Sequence, residues 1–127
     1  MGESNEQPTF GSARIFNAVV FSWLGIKATW KTEAAFREEI ILGIFLFPAA
    51  FWLGENLTQT ALLIMPLFIV LIVELLNTGI EHAIDRVGME RHKLSGLAKD
   101  AGSAAVFLAN MMTLTIWTLV ILDRFIF

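Results

Sequence analysis

The sequence predicts an all-α membrane protein, in which an N-terminal amphipathic helix lying in the membrane interface precedes three transmembrane helices. Three observations lead there. Apolar residues make up 56% of the chain and charged residues only 17%, too greasy a balance for a soluble domain of 127 residues. The apolar residues gather into long runs separated by short polar stretches. The acidic side chains of Glu74-Leu-Leu-Asn77-Thr78-Gly79-Ile80-Glu81-His82-Ala83-Ile84-Asp85 recur at helical spacing at the end of one such run.

Composition also excludes function classes. A net charge of -3, with no basic tract interleaved with aromatics, argues against nucleic acid as a partner. The absence of cysteine removes disulfides, thiolate catalysis and Cys-ligated zinc together.

Residues 1–11 are polar and acidic and lack the basic start and cleavage site of a signal peptide, so they read as a disordered tail before a single membrane domain over 12–127. Residues 12–30 mix Ile15, Phe16, Val19, Trp23, Leu24 and Trp30 with Arg14, Asn17, Ser22 and Lys27, which suits a helix in the interface; a helix packed on a partner subunit fits nearly as well. A break follows at Lys31-Thr32, with Thr32 placed to cap the next helix.

The first span, 33–53, opens with Glu33-Ala34-Ala35-Phe36-Arg37-Glu38-Glu39 and turns apolar from Ile40 to Leu53, with a kink at Pro48 that a membrane helix tolerates. A tight polar loop, 54–60, leads to the second span, 61–84, which ends in the carboxylate stripe. The polar stretch 85–100 carries Gly88 and Gly96 as turn signals. The third span, 101–122, starts on the small residues Ala101 to Ala105, suited to close helix contact. Asn110 in its middle is expected to hydrogen-bond across a subunit interface, and Trp23, Trp30, Trp52 and Trp117 read as interfacial anchors.

Of nine Lys and Arg residues, all but Arg124 lie before or at the opening of the first span or between the second and third. Positive-inside logic therefore puts the N-terminus and the 85–100 stretch in the cytoplasm and the C-terminus outside.

At ~100° per residue, Glu74, Asn77, Glu81 and Asp85 share one helical stripe. A carboxylate beside hydrocarbon is costly unless it is paired, metal-bound or protonated, so the stripe reads as functional. Hard oxygen donors without cysteine suit Mg²⁺, held by Glu81 and a second Glu from the first helix and completed by substrate phosphate. Lys99 near a helix start suits a phosphate contact, and Glu74, the deepest, is placed to accept a proton from a lipid hydroxyl. These parts describe phosphoryl transfer. Neither a Walker loop nor a kinase glycine loop is present, and the residues alone leave open an enzyme, an ion or proton pathway, and a structural pairing role.

The stripe itself resembles the signature of bacterial integral-membrane diacylglycerol kinases, E-x-[hydrophobic]-N-[ST]-small-[aliphatic]-E-x-x-[aliphatic]-D. Trp30, Glu33-Ala-Ala-Phe-Arg-Glu-Glu39 and Leu94-Ser-Gly-Leu-Ala-Lys99-Asp100-Ala-Gly-Ser103-Ala-Ala105 match in order and spacing, and the likeness covers Arg14 to Leu122. The resemblance implies an ATP-dependent kinase of the bacterial inner membrane that converts diacylglycerol to phosphatidic acid, built as a homotrimer with sites shared between protomers. It implies Glu74 as the base and Glu33 and Glu81 as ligands of Mg²⁺. Arg14, Asn77, Glu81, Asp85, His92, Lys99 and Asp100 would contact nucleotide, with Trp30, Glu39 and Ser103 in substrate-facing or supporting places. Gly79 stands where relatives carry Ser or Ala, and Arg91 stands where an aromatic is common. An undecaprenol kinase of the same fold is the alternative, and a small proton-coupled transporter with Glu74 as carrier is the rival of another class.

Overall fold

The computed structural model describes residues 11–127, and every regular element among them is an α-helix: α1 (Ser12–Thr32), α2 (Ala34–Leu53), α3 (Leu57–Val87) and α4 (Lys93–Phe125). Of the tail read over 1–11, only Gly11 falls within the described residues. It precedes α1 at φ 82°, a left-handed backbone that glycine adopts without steric cost.

Helix α1 stands largely apart from the others. Ile15, Phe16, Val19, Trp23 and Leu24 are exposed, and Thr29 near its end is the buried residue. Its apolar face is not covered by the rest of the chain.

Helices α1 and α2 meet at an elbow of one residue, Glu33, in extended conformation at φ -115° and ψ 111°. Of the last four carbonyls of α1, which a helix leaves without intrahelical partners, those of Thr29, Trp30 and Lys31 find partners here. The Thr32 hydroxyl donates to Ala28 O at 3.0 Å, Glu33 N to Thr29 O at 2.8 Å, and Arg37 Nη1 to Trp30 O at 2.7 Å and Lys31 O at 3.3 Å. Thr32 therefore closes the helix behind it and does not cap the one ahead, and α2 begins with no side-chain cap.

Asn56 starts α3 by accepting a hydrogen bond from Gln59 N at 2.9 Å, so much of the polar 54–60 stretch is helical. Gly54 lies so close to Thr60 that a Cβ there would collide with the Thr60 side chain and amide nitrogen. The 85–100 stretch is also mostly helical. His92 Nδ1 accepts from Leu94 N at 3.1 Å and opens α4 upstream of Gly96, which lies within the helix. Only residues 88–92 connect α3 to α4.

The 31 residues of α3 and 33 of α4 reach about 47 and 50 Å, beyond the ~30 Å hydrocarbon core of a bilayer. Both are apolar enough to cross one. Helix α2 is shorter and spends its first turns on Arg37, Glu38 and Glu39.

Helix α3 packs most extensively on α4 and next on α2. At the end remote from the carboxylate stripe, Ala50, Leu53, Leu63 and Val120 form a core cluster, with Ile64 and Trp117 against it. Trp117 is tied inward, its indole N–H donating to Leu63 O at 3.1 Å, so it serves the α3–α4 contact and is not the free interfacial anchor the sequence suggested. Outside this cluster, Arg124 pairs with Glu55 at 3.3 Å and the Gln59 amide donates to Asp123 at 3.2 Å. The far end of α4 is thereby fastened to the α2–α3 hairpin.

Candidate functional site

The helical period of α3 carries Glu74, Asn77, Glu81 and Asp85 along one side, and the elbow and α2 bring further carboxylates to it. Glu74 is 6% exposed, and Glu33, Glu39 and Glu81 all lie within electrostatic reach of it. Like charges in a water-poor place repel unless a cation, a proton or a phosphate-bound metal joins them. The fold holds these four acids together with Phe36, 1% exposed, anchoring the first turn of α2.

Asn77 lies between Glu81 and α4. Its amide nitrogen faces Glu81 Oε1 at 3.5 Å, a weak contact, while its Oδ1 is buried without a partner. Gly102 makes this approach possible: it is buried, and a Cβ on it would collide with the Asn77 side chain. A buried acceptor left unpaired costs roughly 1–3 kcal/mol, so this oxygen marks a place where a donor is wanted.

Further along the stripe, Lys99 Nζ donates to Asp85 Oδ1 at 2.8 Å, with both side chains partly exposed. Lys99 lies before the third apolar run, and its ammonium is held by Asp85. The pair borders a 210 Å³ pocket at the α3–α4 turn, with Gly88, Arg91 and His92 on its rim. A second cavity of 340 Å³ lies between α2, α3 and α4. It is walled mainly by leucines and Trp117, with Glu39, Asn110 and Thr113 as its polar members. The Asn110 amide donates to Val106 O at 3.2 Å on its own helix and faces Glu39 within the chain.

Other residues singled out in the sequence stand apart from this cluster. Arg14 is exposed in the first turn of α1, and none of the hydrogen bonds among the described residues joins it to the acids. Asp100 and Ser103 are exposed on α4. Trp30 contributes its carbonyl to the elbow. Among the described residues, no three His, Asp or Glu side chains converge closely enough to hold a metal ion by themselves.

Two participants were not singled out from the sequence as site members. Arg37 stands four residues after Glu33 in the opening of α2, and its role at the end of α1 is visible only once the elbow is known. Gly102 lay within a run of small residues that pointed to close packing without saying against what.

A bundle of four helices, two of them able to cross a membrane, with acids, an orphaned amide and a Lys–Asp pair gathered toward one end, defines a helical membrane protein with a polar site at the edge of its apolar body. The family described as prokaryotic diacylglycerol kinase matches residues 20–121. The chain is 42% identical to the diacylglycerol kinase of Escherichia coli (strain K12) over 117 residues, covering 92% of this chain and 96% of that protein. It is 45% identical to that of Pseudomonas aeruginosa, covering 88% and 91% of the two chains, and 40% identical to that of Helicobacter pylori (strain ATCC 700392 / 26695), covering 87% and 83%. The chain belongs to the prokaryotic diacylglycerol kinase family.

Proposed function

We propose that this protein is a lipid kinase that transfers the γ-phosphoryl group of ATP to the hydroxyl of diacylglycerol, giving phosphatidic acid and ADP. The family membership carries the reaction, and one observation carries its location: Glu74 is buried at the meeting of α2 and α3 with three further carboxylates around it.

On this reading Glu74 takes the proton of the lipid hydroxyl. The freed oxygen forms a bond to the γ-phosphorus as the bond from that phosphorus to the β–γ bridging oxygen breaks, and ADP leaves with the electron pair. Its burial, at 6% exposure, keeps away bulk water, which would otherwise compete as acceptor. Glu33 and Glu81 suit Mg²⁺ in donor chemistry, since the ion binds through one or two carboxylates and fills its remaining positions with water and phosphate. Bound there with nucleotide, Mg²⁺ supplies neutralisation of phosphate charge. Asn77 offers an amide beside Glu81, Lys99 an ammonium that exchanges Asp85 for phosphate, and Asp85, His92 and Asp100 the borders of the nucleotide place. Arg14 approaches from α1, and Trp30, Glu39 and Ser103 face the lipid or support the acids.

The proposed setting is the bacterial inner membrane, with α2, α3 and α4 as three spans, α1 in the cytoplasmic interface and the C-terminus outside. The 20 residues of α2 give about 30 Å, of which the apolar part after its charged first turns covers about 21 Å, so its charged turns enter the headgroup region as part of the crossing. The exposed apolar face of α1 supports an interfacial placement. The assembly is a homotrimer on this reading.

Purified protein in mixed micelles with labelled ATP tests the reaction across diacylglycerol and polyprenol acceptors. Mg²⁺-dependent phosphatidic acid is the expected product. Phosphorylation of polyprenol alone would transfer the site to the other lipid, and pH-driven flux in proteoliposomes without ATP consumption would remove the kinase reading.

A further inference from the structure

The elbow at Glu33 contains a device that the reaction scheme above does not use. Glu33 is the residue at which α1 stops and α2 starts, so the direction of its carboxylate depends on the angle between two helices. Arg37 fixes that angle. From the first turn of α2 its guanidinium reaches back across the elbow to Trp30 O and Lys31 O, the carbonyls that the last turn of α1 leaves open. A cation there also complements the negative end of the α1 dipole.

Arg37 makes no ion pair with Glu33, although the two are four residues apart; the ion pairs among the described residues are Lys99–Asp85 and Arg124–Glu55. The guanidinium is engaged by main-chain oxygens, so the Glu33 carboxylate has no ion-pair partner among the described residues. At the same joint Thr29 O accepts from the Glu33 amide, and the Thr32 hydroxyl adds a bond to Ala28 O. Flexing the elbow breaks at least one of these bonds.

We propose that Arg37 is a positioning residue: by bridging α2 to the end of α1 it aims the Glu33 carboxylate toward Glu74 and Glu81 and keeps it available for a divalent cation. This rests on the assignment of Glu33 under the proposed function. Residues that orient a metal ligand typically alter metal affinity by ~10–100-fold when changed.

The test is Mn²⁺ binding by the full chain in the presence of a non-hydrolysable ATP analogue, read by electron paramagnetic resonance, together with the Mg²⁺ concentration for half-maximal activity at saturating ATP and the KM for diacylglycerol. Arg37→Gln is expected to weaken Mn²⁺ binding and raise the Mg²⁺ requirement about tenfold with the lipid KM within about twofold of the original. Arg37→Lys, which keeps the charge but not the fork, is expected to give a smaller rise, and it carries the test should Arg37→Gln not fold. In a Glu33→Gln background, Arg37→Gln is expected to add less than about twofold, because both changes remove one ligand. A normal Mg²⁺ requirement in both Arg37 variants, or full additivity with Glu33→Gln, overturns the role of Arg37 alone. A normal requirement in Glu33→Gln overturns the metal assignment on which it rests.

Discussion

Asn77 Oδ1 is pressed against Gly102, buried, and without a donor from any described residue. The amide thus enters the contact between α3 and α4 where a larger residue would exclude it. Gly102→Ala is expected to push Asn77 away from Glu81 and raise the KM for Mg-ATP about tenfold or more, the scale of ~1–3 kcal/mol for a displaced buried polar group. The lipid KM serves as the control, and its rise in parallel with the nucleotide KM would assign the loss to general misfolding.

Glu74 and Glu81 are two turns apart on α3 and are expected to fail differently. Glu74→Gln removes the proton acceptor and is expected to lower kcat by about 10²–10⁴ while nucleotide binding is kept. Glu81→Gln is expected to weaken Mg-ATP binding as well. Titration with a fluorescent nucleotide alongside turnover separates the two, and near-normal turnover in both variants would contradict the site.

The Lys99–Asp85 pair is short but exposed, and exposed pairs add little to stability. Asp85→Asn is therefore expected to leave thermal unfolding nearly unchanged while lowering activity. A large fall in the unfolding temperature would make the pair a structural tie.

Gly79 lies within α3, and no neighbour in the chain comes within reach of an added Cβ. Gly79→Ala is expected to stabilise the helix by up to ~1 kcal/mol, less in lipid, with activity retained. Thermal unfolding in detergent checks the gain.

Much of the helical order was legible in the sequence because apolar runs and the 74–85 period depend on local spacing. The acids on α3 could be grouped by counting. What could not be counted was whatever depends on two helices meeting. Asn110 was expected to seek a partner subunit, yet it faces Glu39 across the chain's own groove. Gly96 looked like a turn, but the side chain of His92 supplies the cap that starts α4 earlier. Arg37 and Glu33 have the spacing of a helical pair, but the backbone is extended at Glu33, so that spacing does not place them on one helix face.

The fastening of α4 has a mechanical outcome. One end is held to α3 through Lys99 and Asp85, and the other to the hairpin through Arg124–Glu55 and Gln59–Asp123. A beam pinned at both ends resists sliding along its neighbour, whereas α1, buried only at Thr29, makes few contacts beyond its elbow. Amide hydrogen exchange should then divide the molecule, slow along the middle of α3 and α4 and fast along α1, with the boundary at Glu33. A change in bilayer thickness would then be felt first along the sparsely packed α1 and would leave the register of Asn77 on Gly102 intact.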